Sequence, residues 1–371
     1  MHLVCTKENL LKGFQTVNKA VATKSLLPII NNVLFDCTEE GKLKLSATDL
    51  EMGVETYVDC QVLSSGKITI PARALNDIIS KLPNSDVDLH VNDSLTETTL
   101  KCSKSKFNLK SIVSDDFPQL PQISEDNCLY ISSSALSQGI KKTIFASSTD
   151  TSKNVLNGIR FIFSSGKVEM AATDGYRLAV SKTHIESEND QGFAVIVPSK
   201  SMNELVRLLG STKEDTTVTV SYLSNQLVFK IDEKIMSTRL VEGQYPDYNR
   251  IIPTNLDKDV IFNKDEFLSA VDRVSAISSI DKVNIIKLEI TSGQIVLSSS
   301  TPELGQSTES VDVDYQGDSL EINFNARFFM EAIKNFDSEK LKLSLAGSLN
   351  PGILKSLDDD NYFCMIMPIR S

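Results

Sequence analysis

Few side chains in this 371-residue chain have the type and spacing that bond-making chemistry needs. Histidine occurs only at 2, 90 and 184, never as HxxxH or HExxH, so no helix is written to hold a zinc ion or a paired base. The six cysteines, at 5, 37, 60, 102, 128 and 364, never form CxxC. That spacing argues against a zinc site or a disulfide framework and for reduced thiols in a cytoplasm. GxGxxG, GxxxxGK[ST] and GxSxG are absent, so the usual phosphate cradles and the nucleophile elbow are missing. Carboxylates are plentiful, as in "LDDDN" at 357–361, but such a run reads as a solvated turn. The expectation is a chain without catalytic residues, metal or cofactor.

Recognition is then the open chemistry, and the stretch that invites it is "AATDGYRLAV" at 171–180. Its plain reading is a hairpin turn, because Asp-Gly supplies the positive φ angles of a two-residue connection. A relative, "SATDLEMGVE" at 46–55, sets Ala-Thr-Asp in the same surroundings 125 positions earlier, with no glycine in the turn. The turn backbone therefore does not by itself require the residues of DGYRL.

Other features recur near that offset. "KITIPARALNDIISKL" (67–82), "FAVIVPSKSMNELVRLL" (193–209) and "EINFNARFFMEAIKNF" (321–336) each read as a strand, a Pro or Asn, and an amphipathic helix. Pro71, Pro198 and Asn325 are 127 and 127 positions apart. Three earlier helices, in 6–21, 132–147 and 263–278, open on cap-like Thr, Ser or Asn. "SDDFPQLPQI" (114–123) matches "EGQYPDYNRIIP" (242–253). Between the helices lie short strand-like runs with turn signals. The period is too long for a solenoid repeat, so each unit is expected to be a domain, with boundaries 1–125, 126–253 and 254–371. The fold class is α+β: three tandem similar domains, each with two helices packed on antiparallel sheets, about two dozen strands in all.

Basic residues number 38 and acidic residues 49, a net charge of −11, which points away from a simple nucleic-acid-binding domain. The sum hides a distribution. Lys12, Lys19, Lys24, Arg73, Lys81, Lys141, Lys142, Lys200, Arg207, Arg273, Arg327 and Lys334 fall on or beside the predicted helices. The N-terminal stretch lacks the apolar core of a signal peptide, and no apolar run reaches the length of a membrane span.

At this point "LSATDLEM" (45–52), "IPAR" (70–73), "DFP" (116–118), "LNG" (156–158), "AATDGYRLA" (171–179), "EGQYPDYNRIIP" (242–253) and the final "MPIRS" (367–371) together resemble the bacterial DNA polymerase III beta subunit, the sliding clamp family. The resemblance spans the whole chain in the family's order. It implies a head-to-tail homodimer, a closed ring of six similar domains around duplex DNA. It implies as partners the DNA polymerase III alpha subunit, the clamp loader, and other polymerases and repair proteins, held through short Gln-Leu-Phe-type segments, with no membrane.

Carried over residue by residue, the peptide cleft takes Leu156, Thr173, Gly175, Tyr176, Arg177, Leu178, Pro246, Arg250 and Ile251 from the second domain. From the third it takes Asn325, Phe328, Leu349, Pro351, Met365, Ile366, Met367, Pro368, Ile369 and Arg370. Burying one Leu and one Phe of a partner contributes about 3 to 6 kcal/mol. After ordering costs this leaves affinity near the micromolar range, so partners exchange. Gly175 is expected to admit a close backbone and Arg177 to offer a polar rim. Lys24, Arg73, Lys153 and Lys200 match positions near DNA, and Phe107, Leu109, Ile277 and Ser278 match the dimer interface. Two other classes stay open: a protein-binding scaffold indifferent to DNA, and an enzyme with an unfamiliar site.

Overall fold

The computed structural model describes the chain except at residues 24, 40, 125–127, 151, 188–191, 214–215, 279–283 and 371. The first repeat opens on β1 (His2–Thr6) and α1 (Lys7–Val17). Then come β2 (Asn32–Asp36), β3 (Lys42–Thr48), β4 (Met52–Asp59), β5 (Gln61–Ser64) and β6 (Lys67–Pro71). Helix α2 (Ala72–Lys81) precedes β7 (Asp86–Val91), β8 (Glu97–Cys102) and β9 (Ser105–Lys110). The second repeat runs β10 (Leu129–Ser132), α3 (Ser133–Ile144), β11 (Gly158–Ser164), β12 (Lys167–Thr173), β13 (Arg177–His184), β14 (Glu186–Ser187) and β15 (Phe193–Pro198). It ends with α4 (Ser199–Leu209), β16 (Thr217–Leu223), β17 (Gln226–Ile231) and β18 (Lys234–Arg239). In the third, β19 (Lys258–Asn263) and α5 (Lys264–Ser275) lead to β20 (Ile285–Thr291), β21 (Gln294–Thr301), β22 (Gly305–Asp312) and β23 (Leu320–Asn325). Helix α6 (Ala326–Lys334) and β24 (Lys340–Leu345), β25 (Gly352–Ser356) and β26 (Tyr362–Ile366) complete it.

The helices begin where the sequence supplies a side-chain acceptor. Thr6 accepts the Asn9 N–H at 3.2 Å, and Asn263 accepts those of Asp265 and Glu266, both at 3.1 Å. Each acceptor satisfies first-turn donors that no helix can pair internally. In α1, Leu10, Phe14 and Val17 recur at helical spacing and all three are buried, which sets that face against β3 and β4. Strands alternate as expected of half-buried sheet: in β7, Val87, Leu89 and Val91 are buried, while Asp86 and His90 are exposed and Asp88 is half-buried.

Every named strand pairing is antiparallel. The sheets run β5-β1-β7-β8-β9, β14-β10-β16-β17-β18-β4-β3-β2-β6, β15-β11-β12-β13-β26-β25-β24-β19 and β22-β21-β20-β23. The two long sheets each combine strands of consecutive repeats. Repeat two joins repeat one through β18 and β4, with Ser237 opposite Gly53, and repeat three joins repeat two through β26 and β13, with Met365 opposite Leu178. Hydrogen-bonded sheet crosses these joins, and the chain divides into two compact units. One holds 1–134, 186–189 and 204–240, the other 135–185, 190–203 and 241–371. The strands equivalent to those that make the joins inside the chain, β9 (equivalent to β18 and β26) and β22 (equivalent to β4 and β13), end their sheets as edge strands.

All six cysteines are free thiols, and only Cys60 is half-exposed. Burial pushes the Cys5, Cys37 and Cys364 thiols up to about 12. Cys60 should therefore be the first thiol modified by a water-soluble disulfide reagent at neutral pH, the others following only in denaturant; peptide mass mapping reads the order. No helix among the described residues is long and apolar enough to cross a membrane.

Candidate functional site

The twin Thr-Asp motifs build one hydrogen-bonded turn twice. In the second repeat Thr173 Oγ1 donates to the Arg177 carbonyl at 2.6 Å and accepts the Gly175 N–H at 3.1 Å. Asp174 Oδ1 accepts the N–H groups of Tyr176 and Arg177 at 2.9 and 3.1 Å. The first repeat reproduces this with Thr48 on Met52 and Leu50, and Asp49 on Glu51 and Met52. The left-handed backbone is kept as well, Gly175 at φ 96° and Leu50 at φ 76°. The same turn thus forms without the residues of DGYRL, although Leu50 adopts the left-handed conformation at a steric cost that Gly175 avoids. A Cβ at Gly175 would meet nothing within 4 Å, so the turn surface stands open to an incoming chain.

Arg177 is not a rim. Its side chain is only 6% exposed, at the start of a strand buried on both faces. Burying a guanidinium is tolerable only where acceptors replace water. Here Nε donates to Asp174 Oδ2 at 3.1 Å, one terminal nitrogen donates to Glu331 Oε2, and the other donates to the Phe145 carbonyl at 2.6 Å. Its Cζ lies 4.3 Å from the Phe328 ring centre. Phe328 stacks on Tyr176 with centroids 6.4 Å apart, and the Lys153 ammonium sits 5.7 Å above Tyr176 while donating to the Asp174 carbonyl at 3.3 Å. Two stacked rings are thus bracketed by two cations in one column, each cation over an electron-rich face.

Beneath this column is an apolar floor. Leu178, Met365, Ala171, Ile353, Tyr245 and Tyr248 form a buried cluster, with Leu156 and Val155 packed against it. Tyr245 accepts the Thr173 N–H at 3.0 Å, and Tyr248 donates to Glu169 at 2.5 Å. Burial, with the Glu169 carboxylate beside it, raises the Tyr248 phenol above its ordinary range, so it stays a donor. The tyrosines were missed in the sequence, although Tyr245 stands where the first repeat has the buried aromatic Phe117.

The C-terminal stretch is ordered along this floor. Ile366 pairs with Arg177 in the ladder, Met367 donates to the Tyr176 carbonyl at 2.9 Å, and Ile369 donates to the Asn323 carbonyl at 2.8 Å. Leu349, Ile369 and Arg370 border a groove of about 690 Å³ running along β23. Pro351 and Pro368 are half-buried, and Pro246 is exposed. Arg250 is exposed and paired with Asp247 at 2.9 Å. Asn325 spends its side chain on capping α6, accepting the Phe328 N–H at 3.1 Å. Tyr176, Ile251, Leu349 and Met367 are large apolar side chains left open to solvent, as partner-binding surfaces leave them.

The other expected positions are less uniform. Arg73 and Lys200 are exposed, while Lys24 lies outside the described residues. Several helix cations are already matched by acids: Arg207 by Glu204, Lys142 by Asp337, Arg273 by Glu309 and Arg327 by Glu331. Phe107, Leu109 and Ile277 are half-buried, but Ser278 points inward, its hydroxyl bonded to Asn284 at 2.5 Å, so it presents no surface.

A thrice-repeated α+β chain whose sheets run on from one repeat to the next, with an apolar cluster where the second meets the third, has the architecture of a clamp. The sequence matches three successive domain families: the DNA polymerase III beta subunit N-terminal domain over residues 1–121, its central domain over 130–247 and its C-terminal domain over 249–370. It is 33% identical over 376 residues to the beta sliding clamp of Synechococcus elongatus, covering 100% of this chain and 99% of that one. The Bacillus subtilis DNA polymerase sliding clamp superposes with a TM-score of 0.95 at 28% identity, over 100% of this chain and 99% of that one. A Pseudomonas aeruginosa sliding clamp bound to griselimycin gives 0.94 at 30% identity, over 100% of both chains. The chain belongs to the DNA polymerase III beta subunit family, the beta sliding clamps.

Proposed function

We propose that two copies of this chain close head to tail into a ring around duplex DNA in the cytoplasm. The ring performs no catalysis and tethers the replicative polymerase, the clamp loader and repair proteins through the cleft built on DGYRL. One observation carries this reading: the strand junction that joins repeat one to two, and two to three, is left unmade at β9 and β22. A second copy supplies each missing partner. The internal joins also give the register. Ser237 and Asn108 hold equivalent places in their hairpins, as do Gly53 and Gly305, so Asn108 falls opposite Gly305 and Phe107 opposite Gln306. A heterologous contact that closes after two copies leaves no sticky edge to template a fibre.

Exposed cations such as Arg73 and Lys200 suit weak, sequence-independent phosphate contact, about 10⁻⁴ to 10⁻⁶ M, while topology supplies retention. A Pseudomonas aeruginosa relative bound to griselimycin supports ligand binding by this fold. Electron microscopy of lightly cross-linked protein should show closed rings with an open centre. Open arcs alone, at the highest concentration attainable, would overturn the ring.

A further inference from the structure

Glu331 on α6 is shared between two guanidinium groups that face different tasks. Its Oε2 takes Arg177, the buried strut under the Tyr176–Phe328 pair, and its Oε1 takes Arg327 Nε at 3.3 Å. Arg327 is exposed on the outer side of α6 and also lies 5.8 Å from the Phe328 ring centre. Asp174, Glu331, Arg177 and Arg327 sum to zero charge, with Arg177 the buried member at 6% exposure and Arg327 the solvated one at 68%, so Arg177 depends on its carboxylates far more than Arg327 does. Two α6 side chains reach across to the DGYRL turn: Phe328 contacts it by its ring and Glu331 by charge.

We propose that Glu331 is a positioning residue for the peptide cleft, and that it reports to the cleft whether Arg327 is engaged by a polyanion such as a nucleic-acid backbone. This rests on the reading of the DGYRL surface as a peptide site. The coupling has a definite sign. Arg327 and Arg177 divide one carboxylate, so a phosphate that draws Arg327 away leaves Glu331 undivided to Arg177. That fixes Phe328 and Tyr176, the walls on which an aromatic partner residue packs. Glu331 touches no partner itself; it acts by holding Arg177, and a cleft whose walls are already placed binds with less ordering cost.

The test uses the full chain and a fluorescein-labelled peptide bearing a Gln-Leu-Phe segment, read by polarisation, with circular dichroism and sedimentation confirming that each variant folds. Glu331→Gln should weaken binding about tenfold, the loss expected for one charge-assisted hydrogen bond, and Glu331→Asp should restore most of it. Arg327→Ala, which frees Glu331, should bind about threefold more tightly, and the gain should vanish when combined with Glu331→Gln. Binding by Glu331→Gln within twofold of the unaltered chain would overturn the inference, as would an Arg327 effect that persists without Glu331. If the unaltered chain fails to bind the peptide, the cleft assignment itself falls, which is a separate and recognisable result.

Discussion

An Arg177→Ala chain is expected to lose at least a hundredfold in affinity for apolar partner segments and to melt at a lower temperature. The two effects have one cause. Truncation removes the donor to Asp174, Glu331 and the Phe145 carbonyl together with the flat face beneath Phe328. Breaking a buried pair by deleting one partner costs about 3 to 5 kcal/mol. Glu331 is about one-third exposed and keeps Arg327, and Asp174 still accepts two backbone N–H groups, so the low end of that range applies. Tyr176→Ala provides the contrast. Tyr176 is 61% exposed, so its removal should weaken the peptide about tenfold at little cost to the melting temperature. Thermal unfolding with parallel peptide titrations decides the matter: an Arg177→Ala chain that melts like the original and still binds would remove the strut from the account.

The second large effect concerns assembly. Placing Asp at both Phe107 and Leu109 should weaken association of two copies by about a thousandfold, since each apolar side chain buried at the new strand junction contributes roughly 2 kcal/mol. Both side chains lie half-buried on β9, between exposed Lys106, Asn108 and Lys110, so the change falls on one face of one edge strand. The fold of the single chain should survive, because β9 keeps its ladder with β8. Sedimentation equilibrium distinguishes the outcomes, and an unchanged mass would show that β9 is not where copies meet.

The period of 127 was legible because each repeat must cap and orient the same helices, and Thr6, Asn263 and Asn325 do so with side chains that sequence reveals. The Thr-Asp pair was legible as a turn for a similar reason: its hydrogen bonds are local. What sequence hid is depth. Arg177 looks like a surface residue until β26 covers the far side of β13, a pairing between residues almost two hundred positions apart. Glu331 carried a faint signal, four places after Arg327 on a helix, but its second partner lies 154 positions away. The compact units escaped for the same reason. Repeats are written along the chain, whereas sheet continuity through β18 and β4 is decided across it.

The junction between repeats is directional: both internal joins link the last strand of one repeat's second half, β18 or β26, to the outermost first-half strand of the repeat before it, β4 or β13. A closed circuit of such one-way links can be read clockwise from one side only, so its two flat sides are chemically unlike, as the sides of a turnstile are. The apolar floor is assembled at just one kind of link, that between repeats two and three. Every copy of it in the circuit must therefore open towards the same side. In the proposed ring, partners of the two copies would therefore meet equivalent surfaces facing one way, and exchange between copies would need no change of side.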